Sequence, residues 1–359
     1  MVAYHRVSVE PVGREVRCRE DQPILDACLR AGIWVPHSCT HGTCGTCKAE
    51  LIDGEVDHGN ASAFALMDFE RDEGKVLLCQ ASPRSDLVVE ADVDVDEGLE
   101  LHPVRDFTGT VTELADVARD IRVVRIALDE ELRFAPGQYV ALRVPGTPAT
   151  RTYSLANPPT QRRLLELHVR RTPGGLASDG WVFGPMAAGE RVSLSGPYGR
   201  FVFRPARPEP AIMVAGGTGL APIASMIRHA LAAPSGPRLY LYHGARTRAD
   251  LYCVDEFRAL AAAHPDRFRY RPCLSEQTPE DPAGGGWDGG AGLVTDVLAA
   301  DFDRCSGHVG YVCGPPPMVD AALKLLMRKR LFPRDIYRED FFSEADRATG
   351  GVRSPLLRR

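Results

Sequence analysis

The chain has 359 residues, 44% of them hydrophobic and 25% charged, proportions that fit two or three water-soluble globular domains. No apolar run approaches the roughly 20 residues that span a bilayer, and the opening stretch MVAYHRVSVEPVGREV alternates like a strand with no signal-peptide core, which predicts a cytoplasmic protein. The net charge of −5 is uneven: residues 1–100 carry 9 Lys and Arg against 20 Asp and Glu, a net of −11, and the remainder 34 against 28, a net of +6, a balance that argues against nucleic acid and suits an acidic module steered toward a basic partner.

In chain order, short β patterns come first, interrupted by one helical segment, PILDACLRAGI at 23–33. CTHGTCGTC follows at 39–47. Cys39 and Cys44 have four residues between them, Cys44 and Cys47 have two, and Cys79 follows in KVLLCQA after 31 intervening residues. C-x4-C-x2-C with a distant fourth Cys is the plant-type [2Fe–2S] spacing. Two irons need four thiolates, and a tight loop can supply three while another segment closes the site. Gly42 and Gly45 let the backbone approach and aim N–H groups at sulfur. The rival ion is zinc on the same four residues, but zinc sites usually pair two C-x2-C units and no second pair exists. Cys18, Cys28, Cys253, Cys273 and Cys305 lack such spacing and read as small buried hydrophobes. The acidic run DLVVEADVDVDEGLE at 86–100 leads to a linker around Leu101–Arg105.

From 106 to 205, short strands punctuated by Gly and Pro predict a small all-β barrel. Within it, RTYSLAN opens at Arg151. An Arg can pair with a pyrophosphate, the Tyr153 ring can lie against a flat cofactor, and Ser154 can hydrogen-bond a ring nitrogen. GGLAS at 174–178 reads as a turn whose backbone N–H groups seat an anion. From Pro210 onward strands and helices alternate, which indicates a parallel α/β sheet. VAGGTGLAP at 214–222 ends a strand and opens a helix, with Pro222 in place of the third glycine of a dinucleotide fingerprint; alone it serves equally as a phosphate-binding or a structural turn. YVCGPPPMV at 311–319 places Cys313 at the carboxyl end of a strand, where ligands bind in such sheets. Residues 275–292 read as a surface loop and the last residues as a loose tail.

Together, CTHGTCGTC with its distant Cys, RTYS, GGLAS, GGTGLAP and CGPPP, in this order, resemble ferredoxin–NAD(P)H reductase-type chains with an N-terminal ferredoxin, the reductase components of bacterial multicomponent oxygenases. The stretches 54–81, RTYSLANPP and CGPPPMVDAA resemble the phenol hydroxylase branch. The resemblance implies a β-grasp plant-type ferredoxin over 1–100, an antiparallel β-barrel FAD domain over 101–207, a parallel α/β NAD-binding domain over 208–342 and a flexible tail over 343–359. It implies metal ligands at Cys39, Cys44, Cys47 and Cys79. FAD is expected on Arg151, Thr152, Tyr153 and Ser154, near His168, Val169 and Arg170 through its ribityl and phosphate groups, and on Gly174, Gly175, Ala177 and Ser178. Nicotinamide dinucleotide is expected on Gly216, Gly217, Thr218, Gly219 and Pro222, with Cys313 and Gly314 beside the nicotinamide. Ser154, Cys313 and Glu339 are the residues expected nearest the hydride step, and Phe341 or Phe342 is expected to cover the flavin.

The implied function is an NADH-dependent reductase passing electrons from NADH to FAD to [2Fe–2S] and on to the hydroxylase of a di-iron monooxygenase that docks on the ferredoxin domain. The first alternative is the reductase of a Rieske dioxygenase; a redox sensor is the alternative from another class. Arg246 and Arg248, after the strand RLYLYHGA, could hold the 2′-phosphate of NADPH or simply be solvated.

Overall fold

The structure, a computed structural model, describes residues 2–38, 40, 42–93, 99–276 and 287–341. The expected ligand Cys39, the alternative aromatic Phe342, residues 277–286 of the surface loop and the tail 343–359 lie outside the described residues. The chain divides into two compact units: one runs to Asp106 and takes in Ser195–Arg200, and the other holds Phe107–Leu194 and the chain from Phe201.

In the first unit the elements are β1 (Tyr4–Glu10), β2 (Arg14–Arg19), α1 (Ile24–Arg30), β3 (Lys48–Asp53), β4 (Val56–Asp57), α2 (Asp68–Asp72), β5 (Lys75–Leu77), β6 (Ser82–Pro83) and β7 (Leu87–Glu90). The main sheet runs β2-β1-β7-β3-β5, with β1 and β7 parallel, the arrangement expected of a β-grasp. Alternation sends Val7 and Val9 inward at 0% exposure, where they meet Ile24, Leu25, Cys28 and Leu29 from one face of α1. Each such aliphatic side chain contributes about 1.5–3 kcal/mol on burial. The helix is shorter than the 23–33 segment because Gly32, at φ +72°, takes the left-handed conformation that ends it. Ser195–Arg200 counts with this unit because Tyr198 packs on the same core and the Gly199 N–H donates to His37 Nε2 at 3.1 Å.

The second unit opens with β8 (Arg105–Ala118), β9 (Ile121–Leu128), β10 (Tyr139–Arg143), β11 (Thr150–Ser154), β12 (Leu164–Arg170) and β13 (Arg191–Tyr198). Their order is β11-β10-β13-β8-β9-β12. A bridge from Leu155 to Leu167 brings the two ends together, so the sheet curls into a barrel around Val111, Val124, Ile126, Val140, Leu165 and Leu167.

The rest is β14 (Ala211–Gly216), α3 (Leu220–Ala232), β15 (Leu239–Ala245), α4 (Val254–Ala263), β16 (Phe268–Leu274), β17 (Gly290–Ala291), α5 (Val294–Asp301), β18 (Val309–Gly314), α6 (Pro316–Arg328) and β19 (Ile336–Asp340). The six strands run β17-β16-β15-β14-β18-β19, all parallel. Both faces are covered: Met213 and Ala215 point to α3 and α4, Ile212 and Val214 to α5 and α6. This is why β14 reads as a continuous apolar run rather than alternating. The order reverses between β14 and β18, and a doubly wound sheet opens its ligand crevice at the carboxyl ends of such a pair.

Candidate functional site

The cysteine loop belongs to the first unit. Gly42 and Gly45 have φ of +75° and +68°, and a Cβ on Gly42 would stand 2.7 Å from Gln80 Cγ. Cys47 and Cys79 are each 4% exposed and hydrogen-bond one another; that bond, then burial, pushes the Cys47 thiol far up. Two adjacent buried thiols ionise only when a cation replaces their protons, so this pair suits iron. Gln80 Nε2 lies 3.9 Å from Cys79 Sγ and donates to Thr40 O at 3.3 Å. Among the described residues no three His, Cys, Asp or Glu side chains are gathered closely enough to hold an ion; Cys44 stands at the same loop, its Sγ 3.2 Å from Thr46 Oγ1. The remaining cysteines are buried or half-buried. Burial pushes the thiols of Cys18, Cys28, Cys253 and Cys273 up to about 12 and that of Cys305 to about 11.

On the barrel, β11 carries Arg151, Thr152, Tyr153 and Ser154. Arg151 Nη1 donates to Thr150 O at 2.9 Å. Tyr153 is partly buried, and burial raises its hydroxyl to about 12, so it acts as a neutral ring. Val169 and Ala177 put their side chains into the barrel core, and Val169 pairs with Arg122 in the β9–β12 register. The 174–178 turn differs from its expected form. Gly174 N–H is taken by Asp179 Oδ2 at 2.9 Å and Gly175 N–H by Thr172 O at 2.8 Å. Among the described residues the N–H groups of Leu176, Ala177 and Ser178 meet no acceptor, as the first groups of a helical turn do, and these are the anion seat the turn offers.

His168 differs too. Its side chain is 0% exposed, with Nδ1 3.0 Å from Tyr252 Oη and Nε2 3.1 Å from Glu166 Oε1. Strand alternation explains this: Glu166, His168 and Arg170 share one face of β12 while Leu165, Leu167 and Val169 fill the barrel. The ring therefore turns into the protein, whereas Arg170 is exposed.

At the sheet crevice, Gly217 has φ +55°. A Cβ on Gly219 would overlap the Cys313 carbonyl and stand 2.7 Å from Gly314 Cα, and one on Gly216 would stand 2.6 Å from Met318 Sδ. The glycine turn is thus pressed onto the end of β18, where only glycine fits. Pro222 lies in the first turn of α3. Cys313 is 0% exposed; burial raises its thiol well above the ordinary range, with Glu339 and Asp340 adding to it. Glu339 sits opposite Cys313 in the β18–β19 register. The Phe341 N–H donates to Gly314 O at 2.9 Å, which places this aromatic at the crevice. After β15, Arg246 is exposed, and Arg248 holds its guanidinium 5.3 Å from the Trp287 ring centroid.

Sequence reasoning missed a buried polar chain linking the barrel to the parallel sheet. Glu166 accepts from Arg228 Nη1 at 2.8 Å, and Arg228 also reaches both Glu256 oxygens at 2.7 Å and Ala156 O at 2.9 Å. A signal for it existed: Glu166 and His168 are two polar residues spaced by two among the apolar residues of LLELHV.

Comparison with known proteins gives three family matches: a 2Fe-2S iron-sulfur cluster binding domain over residues 7–84, an oxidoreductase FAD-binding domain over 108–203 and an oxidoreductase NAD-binding domain over 213–324. The chain is 48% identical over 356 residues to the reductase component of phenol 2-monooxygenase from Pseudomonas sp. (strain CF600), covering 99% of each. It is 47% identical to the reductase subunit of an aromatic O-demethylase from Amycolatopsis sp., covering 92% of this chain and 96% of that one. A crystal structure of an Amycolatopsis cytochrome P450 reductase matches with a TM-score of 0.86 at 47% identity, covering 94% of this chain and 98% of that one. No helix among the described residues is long and apolar enough to cross a membrane.

Proposed function

Because this chain belongs to the family of reductase components of multicomponent monooxygenases, we propose that Cys39, Cys44, Cys47 and Cys79 hold its cluster, that β11 and the 174–178 turn hold FAD, and that the 216–222 turn with Cys313 and Gly314 receives NADH. When bound, FAD supplies the step that takes an electron pair from NADH and releases it singly to a [2Fe–2S] centre. The chain's residues position and insulate. Arg151 and the N–H groups of 176–178 counter phosphate charge. Tyr153 and Phe341 offer rings to a flat cofactor. Cys313 and Glu339 line the end of β18, where the raised thiol pKa keeps sulfur uncharged.

The observation that carries this reading is the glycine turn seated on Cys313 and Gly314 at the strand-order reversal. Gly219→Ala tests it. Overpacking typically costs about 1–3 kcal/mol. Displacing the turn by that much should raise the KM for NADH at least roughly fivefold while FAD stays bound. An unchanged KM would count against the assignment.

The oxygenase is expected to dock on the first unit beside the cysteine loop. Phe64 is 88% exposed there, with Met67 and Phe69 also exposed. The segment is held on the loop by Ser62 N–H donating to Gly42 O at 3.1 Å. A large exposed aromatic amid acidic residues suits an interface with an apolar centre and a charged rim. The names of the phenol and O-demethylase relatives both specify aromatic substrates, which supports an aromatic substrate for the partner oxygenase.

A further inference from the structure

We propose that Tyr252 is a positioning residue for the nicotinamide dinucleotide, its hydroxyl proton shared between His168 on the barrel strand β12 and the Gly217 carbonyl on the glycine turn. Tyr252 itself is 3% exposed and precedes α4. Its Oη stands 3.0 Å from His168 Nδ1 and 3.2 Å from Gly217 O. The ring is fixed by edge-to-face contacts with His168, at 5.2 Å, and His243, at 5.9 Å.

Proton counting assigns the donors. Burial pushes the Glu166 carboxyl up, but His168 and Arg228 outweigh it and keep it ionised, so it only accepts. The proton between Glu166 and His168 therefore sits on Nε2. Burial also lowers the pKa of His168, so the ring is neutral and Nδ1 accepts. His243 is lowered to about 3 by burial and adds no charge. The Tyr252 hydroxyl then has one proton facing two acceptors on different parts of the unit. The Gly217 carbonyl also accepts a backbone N–H at the Leu220 cap of its own turn, so Tyr252 is the side-chain donor that reaches that carbonyl from outside the turn. The hydroxyl thus ties the turn that takes the dinucleotide to the strand that follows the flavin motif, and Glu166, Arg228 and Glu256 anchor His168 behind it. A turn at φ +55° with its carbonyl held from beneath has its N–H groups aimed before ligand arrives, and preorganisation of this kind appears in binding.

The inference builds on the assignment of the 216–222 turn to NADH. The test uses the full-length holoprotein with NADH and ferricyanide. For Tyr252→Phe, losing one hydrogen bond should raise the KM for NADH about threefold to tenfold, with kcat within about twofold and the flavin spectrum and FAD stoichiometry unchanged, since uniform binding moves KM alone. Adding His168→Leu to Tyr252→Phe should raise KM no further than about twofold, because the shared proton is already gone. A KM unmoved in Tyr252→Phe, effects that multiply in the double variant, or a loss of FAD in step with activity in Tyr252→Phe would each overturn the proposal. Gly219→Ala in the same assay separates the two layers. If Gly219→Ala leaves KM unmoved, the turn assignment falls and this inference with it. If Gly219→Ala raises KM and Tyr252→Phe does not, only the role of Tyr252 falls.

Discussion

Replacing Arg228 by Met should destabilise the second unit by about 3 kcal/mol, the low end of the roughly 3–5 kcal/mol lost when one partner of a buried ion pair is removed. The side chain is 17% exposed, between Glu166 at 12% and Glu256 at 37%. The low end applies because Glu256 can rehydrate by itself and Glu166 keeps Arg125, 3.1 Å away, and His168. For a unit of this size each kcal/mol shifts Tm by about 2–4 °C, so a fall of about 6–12 °C is expected in scanning calorimetry, with flavin release as a second probe. Lys324→Met is the control, because its pair with Asp320 is 70% and 55% exposed and should contribute little. The difference should also depend on pH. The folded Glu166 pKa is depressed, so its stabilisation is complete above the unfolded value of about 4.3 and fades as pH falls through the folded one. Wild type and variant should therefore differ fully at pH 7 and converge below about pH 4. A Tm shift under about 2 °C at pH 7, or a gap that widens in acid, would refute the reasoning.

Cys79→Ser should abolish or severely disrupt the iron–sulfur absorbance while FAD stays bound; a full cluster spectrum would remove Cys79 from the ligand set. Phe64→Ala should slow electron delivery to the oxygenase at least about fivefold with NADH–ferricyanide turnover unaltered, and equal rates would place the docking surface elsewhere. Added salt should slow delivery to the oxygenase more than reduction of an uncharged dye, since the first hundred residues carry −11 and steering weakens as the Debye length falls toward 10 Å at about 0.1 M. Identical salt responses would eliminate steering.

What the sequence made legible was whatever local chemistry must be written in adjacent residues. The cysteine spacing, the strand alternation of Val7 and Val9, the apolar run of β14 and the glycines before α3 each follow from a rule acting over ten residues or fewer. The glycine turn was ambiguous alone, and its close seating on Cys313 and Gly314 required the parallel register of β14 with β18. The long-range polar partners were hidden. Nothing in LYCVDEF ties Tyr252 or Glu256 to a strand more than 80 residues earlier, so the interior partners of the His168 ring were not legible. The 174–178 turn looked like a full set of free donors because Asp179, one residue beyond the motif, takes one of them.

The six cysteine thiols outside the expected cluster set have a shared consequence for endurance. With thiols held at about 11 to 12, or well above the ordinary value as in Cys313, the reactive thiolate amounts to roughly one molecule in ten thousand or fewer at neutral pH. A protein that hands electrons to an oxygen-consuming partner works amid stray peroxide, which attacks thiolates and starts the climb from sulfenic to sulfonic acid. Keeping every spare cysteine a neutral, buried or half-buried thiol takes the first rung of that ladder away. Oxidative wear should then begin at the four cysteines expected to carry iron, and loss of cluster colour should precede loss of flavin activity as the enzyme ages.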